Sequence, residues 1–258
     1  MPNLEQPAPP AGEPVSVIFL SPLGATEDVV KAWRDTLDSL NRPYEIILAF
    51  LPRDGHFSDS ITVGEQLQEG ISRAQFPLIF YTTCAAQFQP ADVKRMLEEI
   101  DRKVETNTGE AQADLVTGYR VAGPIPGWLA LVDVLRRIVM RVLFGMEVPR
   151  RDCWLGWRGW TKRWIARWLF GVAVQDPYCP LRLFRRHLPR RIAIQSNGEL
   201  AHVEILAKAN FQGALIAEIP VTWIPPQTTP ALSTAPRTKG EAYRLLTKPD
   251  FGPPFLGA

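Results

Sequence analysis

The stretch PLIFYTTCAAQFQP, residues 77–90, changes character twice within fourteen residues. Its first six residues, 77–82, are an apolar run rich in β-formers, of the length of a buried strand. Small and polar residues follow. Pro90 then opens a helical pattern with Val93, Leu97, Ile100 and Val104 on one face, and proline suits the first position of a helix. The same order occurs on both sides. Upstream, VSVIFL (15–20) reads as a strand, and Thr26 opens a helix with Val29, Val30, Trp33, Leu37 and Leu40 at helical spacing. YEIILAFL (44–51) is a second strand, closed by Pro52-Arg53-Asp54-Gly55 and followed by a helix from about Thr62. Downstream, ADLVTGYR (113–120) is a fourth strand, 199–210 is a helix, and ALIAEIPVTWI (214–224) is a last strand. Such alternation predicts an α/β domain: a mostly parallel sheet with helices on both faces.

The chain has 258 residues, enough for one such domain. Residues 1–14 are polar and Pro-rich and are expected to be a disordered leader, not a signal peptide. Residues 15–224 form the predicted domain. From Pro225 the chain carries seven prolines in 34 residues, a tail expected to wrap the surface or stay partly disordered. No apolar run is long enough for a transmembrane span. Cys84, Cys153 and Cys179 form neither a metal pattern nor a disulfide framework, which suits a reducing cytoplasm.

The net charge of +2 hides an asymmetry. From Arg136 to Arg191 there are 14 Lys and Arg against three acids, a local +11. Two amphipathic Arg-rich helices are predicted here, at 127–144 and 154–170, with a shared pattern offset by 26 residues. In the second, Trp154, Trp157, Trp160, Trp164 and Trp168 fall near one face, with Arg158, Arg163 and Arg167 beside them. Indoles and cations together suit an anionic membrane surface. The alternative is a helix that buries its tryptophans in the core. Nucleic acid is a poorer partner, because no recognition module is present.

Several segments resemble, in order, family 2 glycosyltransferases of the dolichol-phosphate-mannose synthase type. LIFYTTCAAQFQP resembles the stretch that in that family carries Asp-Ala-Asp, then Gln and Pro. ADLVTGYR resembles its Asp-hydrophobic-Val-x-Gly-x-Arg strand, and LFGVAVQDPYCPLRLFRR its Asp…Cys-Gly-Phe-Arg-Leu-Phe-Arg-Arg segment. IQSNGELAHVEILAKANFQGALIAEIPV resembles its closing segment. The resemblance covers about residues 14–224 and implies a GT-A type fold with an amphipathic helical insertion. It also implies a nucleotide-sugar donor, a polyprenyl-phosphate or other lipid-linked acceptor, and Mg or Mn as cofactor.

The acidic motifs are missing. Phe50 and Leu51 stand where the family has Asp-Asp, and Thr83, Cys84 and Ala85 where it has Asp-Ala-Asp. No metal or other cofactor is therefore expected, since hard cations need oxygen ligands, preferably charged. The retained substrate-binding candidates are Gln87, Arg120, Arg182 and Glu204, with Asp176 as the catalytic candidate; Asp54, just downstream of the lost Asp-Asp, is a further candidate as a partial substitute. Each has a plainer role to set beside this one. Asp54 reads as a turn residue, Gln87 as a helix cap, Arg120 as a strand-end ion pair, and Glu204 as a structural carboxylate. Asp176 either acts on an acceptor hydroxyl or, the reading preferred, fixes Arg182 as an ion pair. Two functions remain: sugar transfer at the inner face of the cytoplasmic membrane, or an inactive domain that binds lipid or a partner protein.

Overall fold

The computed structural model describes residues 12–20, 27–49, 62–82, 87–106, 109–121, 127–144, 166–224 and 238–250. Six strands form the main sheet: β1 (Val15–Phe19), β2 (Tyr44–Leu48), β3 (Leu78–Thr82), β6 (Leu115–Val121), β7 (Leu181–Arg185) and β8 (Ile216–Thr222). Their order is β2-β1-β3-β7-β6-β8. The β1–β2, β1–β3 and β6–β8 pairs are parallel, while β7 runs antiparallel to both β3 and β6. The sheet is therefore mostly parallel, and β1, β2, β3, β6 and β8 all end on one edge. A separate hairpin, β4 (Val104–Thr106) with β5 (Gly109–Ala111), precedes β6.

Side-chain alternation along the strands sorts the core into two layers. One face carries Ile18, Ile79, Tyr81, Leu115 and Phe184, and packs against α2 (Val63–Arg73) and α6 (Leu200–Phe211). The other carries Val17, Phe19, Phe80, Val116 and Leu183, and packs against α1 (Glu27–Asp38) and α3 (Ala91–Asp101). On that second face Trp33 of α1 lies edge-on to Phe19 at 5.4 Å and against Phe80 at 5.5 Å. Nearly all of α6 is buried, including His202, Glu204 and Lys208. A helix apolar on all sides belongs inside a protein, and its polar residues then need partners.

Helix α2 starts with a capping box. The Thr62 side chain accepts from the Glu65 amide and the Glu65 carboxylate accepts from the Thr62 amide. Its glycines permit close approach. Gly64 donates its N–H to the Asn197 carbonyl at 2.9 Å, and a Cβ on Gly70 would come within 2.5 Å of Ile18 Cγ2.

Three expectations need amendment. Val104 does not continue α3, which ends at Asp101; it begins β4 and is half exposed. PLRLFRR contains the strand β7, followed by the short helix α5 (His187–Arg191). The Pro-rich tail contains α7 (Thr238–Thr247), whose Leu245 enters the core beside α6. The Glu241 carboxylate of α7 accepts from the Asn197 amide at 3.3 Å.

Helix α4 (Gly127–Phe144) is one unbroken helix, as the sequence predicts. Trp128, Leu131, Val132, Val134, Leu135, Ile138, Val139 and Val142 along it are all exposed. Of the predicted 154–170 helix, 166–170 is described and helical. Trp154, Trp157, Trp160, Trp164, Arg158 and Arg163 lie outside the described residues, as do Asp54 and Thr83 to Ala85.

Candidate functional site

Active sites of open α/β sheets gather where the parallel strands end. Arg120, near the end of β6, lies on that edge and points to the α3 side of the sheet. Its guanidinium forms a fork with Asp176: Nε donates to Oδ2 at 2.6 Å and Nη2 to Oδ1 at 3.1 Å. The Arg120 backbone N–H also points at Asp176 Oδ2, at 3.4 Å. Asp176 is buried, while the Arg120 side chain keeps 22 % exposure. Burial works against the charge on Arg120, but the hydrogen bond and attraction of Asp176 outweigh it and hold its pKa above the usual value.

The other side of the guanidinium meets Trp223, with Cζ 5.5 Å from the ring centroid, a cation–π distance. Trp223 lies just past β8. Its indole N–H donates to Gln87 Oε1 at 3.4 Å, and the Gln87 carbonyl accepts from the Ile224 amide at 2.9 Å. Asp92, buried in the first turn of α3, accepts from the Thr222 amide at 3.0 Å and so holds the end of β8. Gln87, Trp223, Arg120 and Asp176 thus form one chain of contacts across the ends of β3, β8 and β6. Gln87 does not cap α3; the N-cap residue is Pro90, with no side-chain cap.

Arg182 is not part of this chain, and it is not the partner of Asp176. It pairs in register with Tyr81 and Thr117, so strand alternation sends its side chain to the α6 side. There it is fully buried. Nη2 donates to the Pro177 carbonyl at 2.6 Å and Nη1 to the His202 carbonyl. Among the described residues, Nε has no hydrogen-bond partner. Arg120 and Arg182 therefore grip one turn, Asp176–Cys179, from opposite faces of the sheet. The turn is closed by the Cys179 amide on the Asp176 carbonyl at 3.1 Å.

Tyr81 and His202 sit beside Arg182. The Tyr81 hydroxyl lies 3.1 Å from His202 Nδ1, and the rings stack at 5.7 Å. Burial pushes the Tyr81 pKa up to about 12, so the phenol keeps its proton and donates. Burial, then the charges of Arg182 and Arg120, hold the His202 pKa well below its usual value. The imidazole is therefore neutral, with Nδ1 within hydrogen-bond distance of the phenol.

Glu204 is engaged away from the Arg120–Asp176 pair. Its oxygens accept from the Gln195 and Ser196 amides, both at 2.8 Å, and from Lys208 Nζ at 2.6 Å. These bonds tie α6 to the 195–196 loop. Arg167 and Trp168 are both exposed, Trp168 by 71 %.

Sequence reasoning missed Trp223 and Asp92. A tryptophan directly after the last strand, at the edge where the strands end, is the signal for the first. Asp92 shows no signal beyond its place in the first turn of α3, since its partner is 130 residues away.

Chemically, the arrangement binds better than it reacts. It offers guanidinium N–H groups, an indole and an amide to an anionic or ring-shaped ligand. A carboxylate with both oxygens on arginine is a poor general base. It is also a poor ligand for a cation, and among the described residues no three His, Cys, Asp or Glu gather as a metal site. A divalent metal does not fit the donors that the described residues present on this edge.

No protein-family model matches the chain, and no curated protein matches it. Solved structures do. Glucosyl-3-phosphoglycerate synthase from Mycobacterium tuberculosis superposes with a TM-score of 0.50 at 11% identity, over 86% of this chain and 75% of that one. The same enzyme with Mn2+, UDP-glucose and phosphoglyceric acid gives 0.51 at 12% identity, over 92% and 78%. With Mg2+ and UDP it gives 0.50 at 12%, over 85% and 73%. The fold is of the GT-A type. At such identity the likeness extends to the fold alone.

Proposed function

We propose that the protein is a family 2 type glycosyltransferase that takes a sugar from a nucleotide-sugar donor to a polyprenyl-phosphate or similar lipid-linked acceptor. The observation that carries the reading is the Gln87–Trp223–Arg120–Asp176 assembly on the strand-end edge of a GT-A type sheet. In this reading the donor phosphate meets the outer N–H groups of Arg120. Trp223 offers a ring face and Gln87 an amide to the rest of the donor. Asp176 keeps the guanidinium fork in place.

The acceptor side rests on α4. Trp128, Leu131, Leu135, Ile138 and Val142 fall on one stripe of a helix about 27 Å long and are all exposed. Exposed apolar patches of this kind mark interaction sites. The sequence from Arg136 to Arg191 carries a net +11, a charge that suits an anionic lipid surface. No described helix is long and apolar enough to cross a membrane, so α4 is assigned to lie in the interface at the inner face of the cytoplasmic membrane.

The engagement of both Asp176 oxygens supports a second reading, an inactive domain that binds donor-like or lipid ligands or a partner protein. Titration calorimetry with a panel of nucleotide diphosphate sugars, paired with a nucleotide-release assay on vesicles holding polyprenyl phosphate, separates them. Binding with turnover supports the transferase. Binding without turnover supports the second reading, and absence of binding removes both donor-based readings.

A further inference from the structure

We infer that donor binding at this edge, on the nucleotide-sugar reading above, is independent of divalent metal, with the free N–H groups of Arg120 as the phosphate contact.

The argument begins with which loops reach the edge. The five parallel strands β1, β2, β3, β6 and β8 all end there, so the segments leaving it are 21–26, 50–61, 83–86, 122–126 and from 225 onward. Read as composition, 21–26, 83–86, 122–126 and 225–237 contain no Asp or Glu. Of the segments leaving the edge up to residue 237, acids occur only in 50–61, as Asp54 and Asp59, and the sequence between α4 and β7 adds Glu147, Asp152 and Asp176. The 50–61 segment leaves β2, the outermost strand. It starts four strand spacings from β6, about 19 Å away.

Two other carboxylates bear on Arg120. Asp176 is buried with both oxygens on the guanidinium. Glu199, exposed just before α6, adds to the field that favours the Arg120 charge. A divalent cation near Arg120 would have to displace the guanidinium from Asp176 and leave two like charges side by side. Hard cations bind oxygen, preferably charged, in sets of six or more. Among the described residues, this edge does not offer such a set beside Arg120.

The guanidinium is suited to the task. It has five N–H groups in a planar fork. Asp176 takes one from Nε and one from Nη2, so Nη1 and the second Nη2 hydrogen remain on a side chain that is 22 % exposed. Paired N–H groups in one plane match two phosphate oxygens. Trp223 on the other side limits its swing.

The test is equilibrium binding of UDP-glucose and related nucleotide sugars to the full chain, once with a chelator and once with Mn2+, beside Mn2+ alone. Equal affinity in both conditions, with no tight uptake of Mn2+ alone, is expected. Arg120→Lys keeps a cation for Asp176 but loses the fork, and should weaken donor binding about tenfold or more with Mn2+ making no difference. A melting curve checks that the variant is folded. Binding that needs Mn2+, or is unchanged in Arg120→Lys, overturns the inference and leaves the donor reading standing. No binding in either condition overturns the donor reading and the inference with it.

Discussion

Arg120 and Asp176, 56 residues apart in the chain, meet through two side-chain hydrogen bonds of 2.6 and 3.1 Å, with the carboxylate buried and the guanidinium reaching the surface. Removing one member of a buried pair leaves an uncompensated charge, which costs about 3–5 kcal/mol. Arg120→Ala strands Asp176 in the interior. Asp176→Ala strands a cation that still touches water. Urea unfolding should therefore show a larger loss for Arg120→Ala than for Asp176→Ala. The reverse order would mean that the turn, not the charge, dominates.

His202 gives a pH signature. Its folded pKa lies well below the usual value of 6.5, so the unfolded chain binds the proton more readily. Its contribution to stability is whole above pH 6.5 and is lost as pH falls below that toward the folded pKa. The slope from one such group approaches about 1.4 kcal/mol per pH unit. Urea midpoints taken from pH 7 to pH 5 should fall less steeply for His202→Gln than for the parent. Parallel curves would show that His202 already titrates freely.

Glu204 and Lys208 test the assignment of Glu204 to structure. Lys208 Nζ reaches Glu204, Gln195 and the carbonyls of Ala193 and Asp250, so this pair ties α6 to the loop before it and to the segment after α7. Glu204→Ala should cost about 3–5 kcal/mol and leave the donor affinity of the remaining folded protein unaltered. A selective loss of binding would return Glu204 to the site.

The membrane assignment is open to a surface substitution. Leu131 and Leu135 are 71 % and 60 % exposed, so Leu131→Asp with Leu135→Asp should leave the melting temperature nearly as it was. The same change should abolish co-sedimentation with anionic liposomes, which should also weaken with salt. Retained binding would transfer the task to other residues.

The five parallel strands were legible because each is a short apolar run between helical patterns. β7 was not read as a strand because three arginines crowd PLRLFRR. A fully buried arginine is rare, and the Pro177 and His202 carbonyls help make the position of Arg182 tenable. For the site, the strand-end position pointed to Arg120. Asp176 pairs with Arg120 and not with Arg182, although Arg182 lies only six residues from it, because proximity in sequence does not reveal which face of a sheet a side chain takes.

The antiparallel β7 lies between β3 and β6 but is made about a hundred residues after β3 and sixty after β6. Pairings so far apart in sequence raise the contact order and slow folding. During synthesis, β2, β1 and β3 can assemble early, yet β3 keeps an open edge until residues 181–185 leave the ribosome. An unpaired edge is a template for the wrong strand. The basic, Trp-rich segment is synthesised in that interval. Production of this protein should thus be limited by the time between β6 and β7, and slow translation across that interval should increase the insoluble fraction.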